Sequence, residues 1–89
     1  MHEILRTSQF RRDVNLAQKR GKDADLLRTV IGALARGQTL SPKYRDHQLK
    51  GMFKDCRECH IEGDWLLLYR IEGNVLQLVR TGTHSDLFQ

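Results

Sequence analysis

Three short stretches carry the residues of this 89-residue chain that could do chemistry. His47 stands in RDHQ, His60 is followed by Asp64 and Trp65 in HIEGDW, and Arg80 precedes His84 in RTGTH. Histidine changes charge near neutral pH and can give or take a proton. A guanidinium neutralises charge that builds on a phosphate. Imidazoles, a carboxylate and an arginine on one surface are therefore a set that can break a phosphodiester without a metal. They do so only if the fold brings them together.

The elements that must position them follow from patterning. EILR at the start reads as a short strand. Thr7 or Ser8 can cap a helix running to about residue 20, with Phe10, Val14 and Ala17 on one face and Gly21 closing it. Asp23 starts a second helix with a wide apolar stripe, Leu26, Leu27, Val30, Ile31 and Leu34, ending at Gly37. Helices joined by so short a link pack as an antiparallel hairpin. Residues 38–51 lack a period and read as a connecting loop. Strands follow at roughly 52–61, 65–71 and 75–80, the last two joined by a tight Gly73-Asn74 turn. WLLLYRI is nearly continuous in apolar residues, which predicts a central strand covered on both faces. The order is β-α-α-β-β-β. The expected fold is α+β, a helical hairpin packed on a mostly antiparallel four-stranded sheet, in a single domain over 1–89.

Composition narrows the partners. With 15 Lys and Arg against 11 Asp and Glu, the formal charge is +4. The basic residues crowd the first quarter (Arg11, Arg12, Lys19 and Arg20 among them) and the flanks of the middle segment, from Lys43 to Arg57. Clustered cations beside a candidate site suit a phosphate backbone. No apolar run reaches the roughly 20 residues of a membrane span. The start, MHEILRTSQFRRD, has no signal-peptide core, so a cytoplasmic protein with no membrane partner is expected.

Cys56-Arg-Glu-Cys59-His60 spells the C-x-x-C-H string of haem attachment. Export would be needed for that. On a strand the two sulfurs also point to opposite faces, with Cα atoms roughly 10 Å apart, beyond the roughly 7 Å limit of a disulfide. The cysteines are expected to be structural thiols, Cys59 with Ile61 in the core. Cys56, Glu58 and His60 share the other face. A Glu62-Gly63 reversal can bring Asp64 beside His60, and Trp65 is either a core aromatic or a platform for an RNA base. Arg80 follows Leu76 and Leu78 on one face, so it either snorkels to the rim or binds an anion. His47 is read as a loop residue.

Taken together, DVNLAQKR, RDHQLKG, RECHIEGDW and RTGTHSDLF resemble the YafQ branch of the RelE-type bacterial toxins, over essentially the whole chain. The resemblance implies a toxin of a type II toxin–antitoxin pair, an endoribonuclease that cuts mRNA in the A site of the 70S ribosome, within lysine AAA codons in this branch, and inhibits translation. It implies a DinJ-like ribbon-helix-helix antitoxin as partner and no cofactor or metal. Carried over by position, the catalytic residues are His47, His60, Asp64, Arg80 and His84, and Trp65 and Phe88 hold or stack the substrate. Gln48 and Gly63 stand where the family's best-known member has prolines, and the glycine is expected to loosen the turn before Asp64.

The implied reaction uses the ribose 2′-OH as nucleophile. Asp64 or His60 removes its proton, Arg80 steadies the phosphorane, His84 protonates the departing 5′-oxygen, and His47 orients the phosphate or shares the base role. Arg11, Arg12, Lys19 and Arg20 would then dock on ribosomal RNA. The competing reading is a non-catalytic ribosome- or RNA-binding inhibitor of translation, which would share the basic surface but survive loss of the histidines. A DNA-binding repressor lacks support, because the second helix is too apolar to be a recognition helix.

Overall fold

The computed structural model describes residues 1–88. In chain order the elements are β1 (Glu3–Arg6), α1 (Ser8–Lys19), α2 (Ala24–Ala35), β2 (His47–Gln48), β3 (Arg57–Glu62), β4 (Trp65–Glu72), β5 (Val75–Gly82) and α3 (His84–Phe88), with 3-10 turns at Pro42–Tyr44 and Gly51–Phe53. The sheet order is β1-β5-β4-β3-β2, parallel only between β1 and β5. The α+β class and the helical hairpin agree with the sequence. The sheet has five strands rather than four, because residues read as a connecting loop contribute the two-residue β2.

Local chemistry explains the helix starts. Thr7 Oγ1 accepts the Phe10 N–H at 2.9 Å and donates to the Val79 carbonyl at 2.8 Å, so the cap also pins α1 to β5. Asp23 caps α2 through the Asp25 N–H. Alternation along the strands then divides the core. Cys59, Ile61, Trp65, Leu67, Tyr69, Leu76 and Leu78 meet Phe10, Ala17, Leu27, Val30 and Leu34 of the hairpin. Leu66 and Leu68 face the other way and pack with Leu87, Leu49, Phe53 and Val79. Residues 65–69 are accordingly all buried, as expected of a strand covered on both sides. Each fully buried leucine contributes roughly 1.5–3 kcal/mol against exposure.

Two boundaries differ from the sequence reading. β3 begins at Arg57 rather than near residue 52, because Gly51–Phe53 turns as a 3-10 segment. The chain after β5 forms a further short helix, α3, which closes the second face of the sheet. Its start is a reciprocal capping box: Thr83 Oγ1 accepts the Asp86 N–H at 3.1 Å, and Asp86 Oδ2 accepts the Thr83 N–H at 3.0 Å. The same carboxylate takes Arg20 from the end of α1, at 2.7 and 3.3 Å. Gly82 permits this approach, since a Cβ there would stand 3.0 Å from Asp86 Oδ2.

Arg20, then the capping N–H of Thr83, hold the Asp86 carboxyl well below the usual carboxylate range. A depressed folded-state pKa stabilises above the unfolded value of about 3.9, and that contribution is lost as pH falls through the folded value. The ion pair is partly exposed and adds little by itself; the cap is the larger part. Asp86→Ala is therefore expected to cost about 1 kcal/mol, a fall of about 4–8 °C in Tm at neutral pH. As pH falls from about 3.9 toward the lowered folded-state value the gap between variant and parent should narrow. Thermal melts across pH check this, and equal Tm values at pH 7 would remove the cap's role.

Candidate active site

The face of the sheet opposite the hairpin gathers the histidines. β2 sets His47 opposite Glu58, and His60 follows two residues along β3 on the Leu66–Leu68 side. Glu58 is only 4% exposed. Its Oε1 lies 3.6 Å from His47 Nε2 and 3.5 Å from His60 Nε2, so one buried carboxylate stands between two imidazoles. Sequence reasoning assigned Glu58 no role, although alternation already put it on the face of His60.

His47 is held from behind as well. Its Nδ1 is 2.7 Å from the carbonyl of Arg45, a residue in the left-handed region at φ +50°. Asp46 anchors the same segment by accepting the Tyr69 hydroxyl at 2.5 Å and Arg57 Nε at 3.2 Å. Gln48 donates its amide to the Lys54 and Cys56 carbonyls at 2.6 and 2.9 Å, which a proline could not do. His47 thus belongs to a strand edge, not to a free loop.

Asp64 meets His84 rather than His60. Its Oδ1 accepts His84 Nδ1 at 2.5 Å and the His84 backbone N–H at 3.3 Å. The His84 side chain, then its backbone N–H, lower the Asp64 carboxyl from its ordinary range. His84 lies on α3 rather than in a loop, and its ring centre is 5.9 Å from that of His60 and 6.0 Å from that of Phe88. Phe88 packs edge-on against Phe53 at 5.7 Å and is 41% exposed, so an aromatic surface borders the histidines. Gly63 has φ +51°, a value closed to proline, and its carbonyl lies 3.3 Å from His60 Nδ1. Rather than leaving the turn undefined, the glycine points a backbone acceptor at His60.

Two expected members stand elsewhere. Trp65 is 2% exposed on the hairpin side and donates Nε1 to Thr81 Oγ1 at 2.9 Å, so no base can stack on it. Arg80 gives Nε and Nη2 to Asp13 of α1, both at 3.0 Å, and hydrogen-bonds none of the histidines. Of the basic residues on the first helix, Arg11, Arg12 and Lys19 are exposed, whereas Arg20 is engaged by Asp86. Cys56 and Cys59 are free and buried. Burial pushes the Cys59 thiol up to about 12 and raises that of Cys56. The described residues hold no cluster of three or more His, Cys, Asp or Glu able to hold a metal ion.

Residues 2–89 match the family model described as the bacterial toxin of type II toxin-antitoxin system, YafQ. This chain belongs to the YafQ family. The mRNA interferase toxin YafQ of Escherichia coli strain K12 is 40% identical over 87 residues, 97% of this chain and 95% of the relative. The crystal structure of the E. coli DinJ-YafQ complex contains a chain that matches with a TM-score of 0.92 and 39% identity, covering 100% of both. A metal-bound toxin from Helicobacter pylori matches with a TM-score of 0.92 and 49% identity over 99% of this chain and 100% of its own. The family resemblance read from the four motifs is thus shown, and with it the α+β fold.

Proposed function

We propose that this YafQ-family chain is a ribosome-dependent mRNA endoribonuclease that attacks phosphorus with the ribose 2′-OH and needs no metal. The names of its relatives supply the substrate class. The observation that carries the chemistry is the Asp64–His84 pair, whose free imidazole edge lies beside His60. Asp64 accepts Nδ1–H of His84, which leaves Nε2 to carry the proton that the 5′-oxygen needs as it departs. Because Asp64 is committed to His84, the base is His60. Donation of His60 Nδ1–H to the Gly63 carbonyl leaves Nε2 as the acceptor, and Glu58, whose Oε1 lies 3.5 Å from that same nitrogen, stabilises the imidazolium once the 2′-OH proton has moved.

The 2′-oxygen then bonds to phosphorus as the P–O5′ bond breaks, giving a 2′,3′-cyclic phosphate and a 5′-OH. His47, half exposed and set by Arg45 and Glu58, contacts the phosphate. Phe88 offers the exposed aromatic face beside the reacting linkage. Arg80 has no step assigned, since Asp13 holds it. Arg11, Arg12 and Lys19 form the surface for ribosomal RNA, in the cytoplasm, and a DinJ-like antitoxin is the partner that masks the site. No helix among the described residues is long and apolar enough to cross a membrane.

The deciding experiment maps the new ends on mRNA incubated with the protein, with and without ribosomes, in Mg²⁺ buffer that keeps the ribosome assembled. Cuts that require ribosomes and leave 2′,3′-cyclic phosphate and 5′-OH ends are expected. Ends bearing 3′-OH and 5′-phosphate would replace the histidine mechanism with metal-assisted attack by water, and cuts on free RNA would remove the ribosome from it. Neutralising Arg11, Arg12 and Lys19 together should reduce the salt dependence of ribosome binding; an unchanged salt series would place the ribosome contact elsewhere.

A further inference from the structure

Beside His60 and Asp64 opens a cavity of about 600 Å³ that the reaction above does not use. Its inner wall is apolar, built from Leu26 of α2, Tyr44 of the first 3-10 turn and Ile61 of β3. Lys43 and Arg45 stand on the rim from the same 3-10 segment, exposed and with no carboxylate partner among the described residues. Lys43 Nζ lies 5.1 Å from the centre of the Tyr44 ring. The cavity opens on the hairpin side of β3, and His60 and Asp64 also line it, so it adjoins the histidine cluster through those two residues.

An apolar and aromatic pocket under two free cations, joined to a phosphodiester-cleaving site, fits one occupant. The flat base of a nucleotide suits the Leu26–Tyr44–Ile61 wall, and its phosphate suits Lys43 and Arg45. Glu62 and Asp64 also line the cavity and bring negative charge, which leaves Lys43 and Arg45 as the groups to receive the phosphate. We propose that this cavity is the subsite that seats the ribonucleotide adjoining the cleaved linkage, with Tyr44 carrying its base and Lys43 and Arg45 its phosphate. The proposal rests on the ribonuclease reading. The left-handed backbone at Arg45 serves it doubly: the carbonyl turns toward His47 while the side chain lines the cavity. Binding at the subsite and placement of His47 therefore share one residue.

The test uses a 2′-O-methyl hexaribonucleotide, which cannot cyclise, followed by NMR of the full chain. The expected result is a shift of the Leu26 and Ile61 methyl and Tyr44 ring resonances. Lys43→Gln/Arg45→Asn keeps a residue that tolerates the left-handed region at position 45. It should weaken binding by tenfold or more and lower the salt slope by about 0.7, the value for one phosphate contact on a single strand. Tyr44→Leu, which preserves bulk, should weaken binding about tenfold. In ribosomal cleavage Lys43→Gln alone, which leaves Arg45 and its hold on His47 in place, should raise KM with kcat within a factor of about 3. Wild-type KM in a Lys43→Gln variant that still cuts RNA would overturn the subsite and leave the ribonuclease standing. Shifts confined to the histidines would do the same. Absence of cleavage by the parent, with the cavity resonances still moving, would sink the ribonuclease reading and keep the nucleotide site.

Discussion

Substituting His84 with Gln should lower single-turnover cleavage by about 10²–10⁴-fold, the range for loss of a general acid. The side chain is 55% exposed and bonds only an equally exposed Asp64, so the melt should move little. The pH profile carries the sharper signature. A parent enzyme that needs one imidazole neutral and one protonated gives a bell, and the variant should lose the alkaline limb, which reports the acid. Asp64 supplies an independent readout. His84 lowers that carboxyl chiefly through its ring N–H and secondarily through its backbone N–H. Removing the ring should let the Asp64 carboxyl rise toward the usual value of about 3.9, while the remaining backbone bond keeps the return incomplete. NMR titration of the carboxyl measures this directly. Asp64→Asn and His84→Gln act on one unit, so combining them should cost little more than the worse of the two. Retention of a tenth or more of the parent rate in His84→Gln would give the acid role to another group.

How much of this site was legible in advance depends on the range of the contacts that build it. Alternation within one strand is local, and it correctly put Cys59 and Ile61 in the core and Glu58 beside His60. The helical hairpin was equally readable, because its stripe, caps and closing glycines all lie within a few residues of one another. The two-residue β2 offers no period to detect, so His47 looked like a loop residue until its pairing with Glu58 was seen. α3 spans five residues, too short for an apolar stripe, yet its T-x-x-D capping box was present in RTGTHSD. The errors of placement came from partners distant in sequence. Arg80 finds Asp13 at a separation of 67 residues, and Asp64 finds His84 at 20. Residue type and spacing announce that such groups exist without saying which of them pair. For Trp65 the sequence offered both a core and a substrate role, and the hydrogen bond to Thr81 selects the core.

Asp13→Ala should be among the most destabilising single changes, by about 2–4 kcal/mol. The Asp13 side chain is only 6% exposed, and it accepts Arg80 Nε and Nη2 at 3.0 Å and the buried Thr81 N–H at 3.1 Å. Alanine leaves that N–H without an acceptor between α1 and β5. Arg80 is 25% exposed and can turn toward water, which keeps the cost below that of a sealed ion pair. A loss of this size lowers Tm by at least about 8 °C in a chain of this length. Asp13→Asn retains an acceptor oxygen for Thr81 and should lose roughly half as much. The same pair of variants decides what Arg80 does. Both remove the negative charge that pins the guanidinium, so an arginine held in reserve for the phosphorane would leave cleavage per folded molecule unchanged or raised. If instead Arg80 belongs to the scaffold, Arg80→Ala should destabilise as Asp13→Ala does. Their double variant should then fall short of the sum by about 1 kcal/mol or more. Coupled stability losses with cleavage preserved in the folded fraction would assign both residues to the joint between helix and sheet, leaving the reaction to His60, His84 and their carboxylates. Arg80→Ala that melts like the parent but no longer cuts would return the arginine to the phosphate.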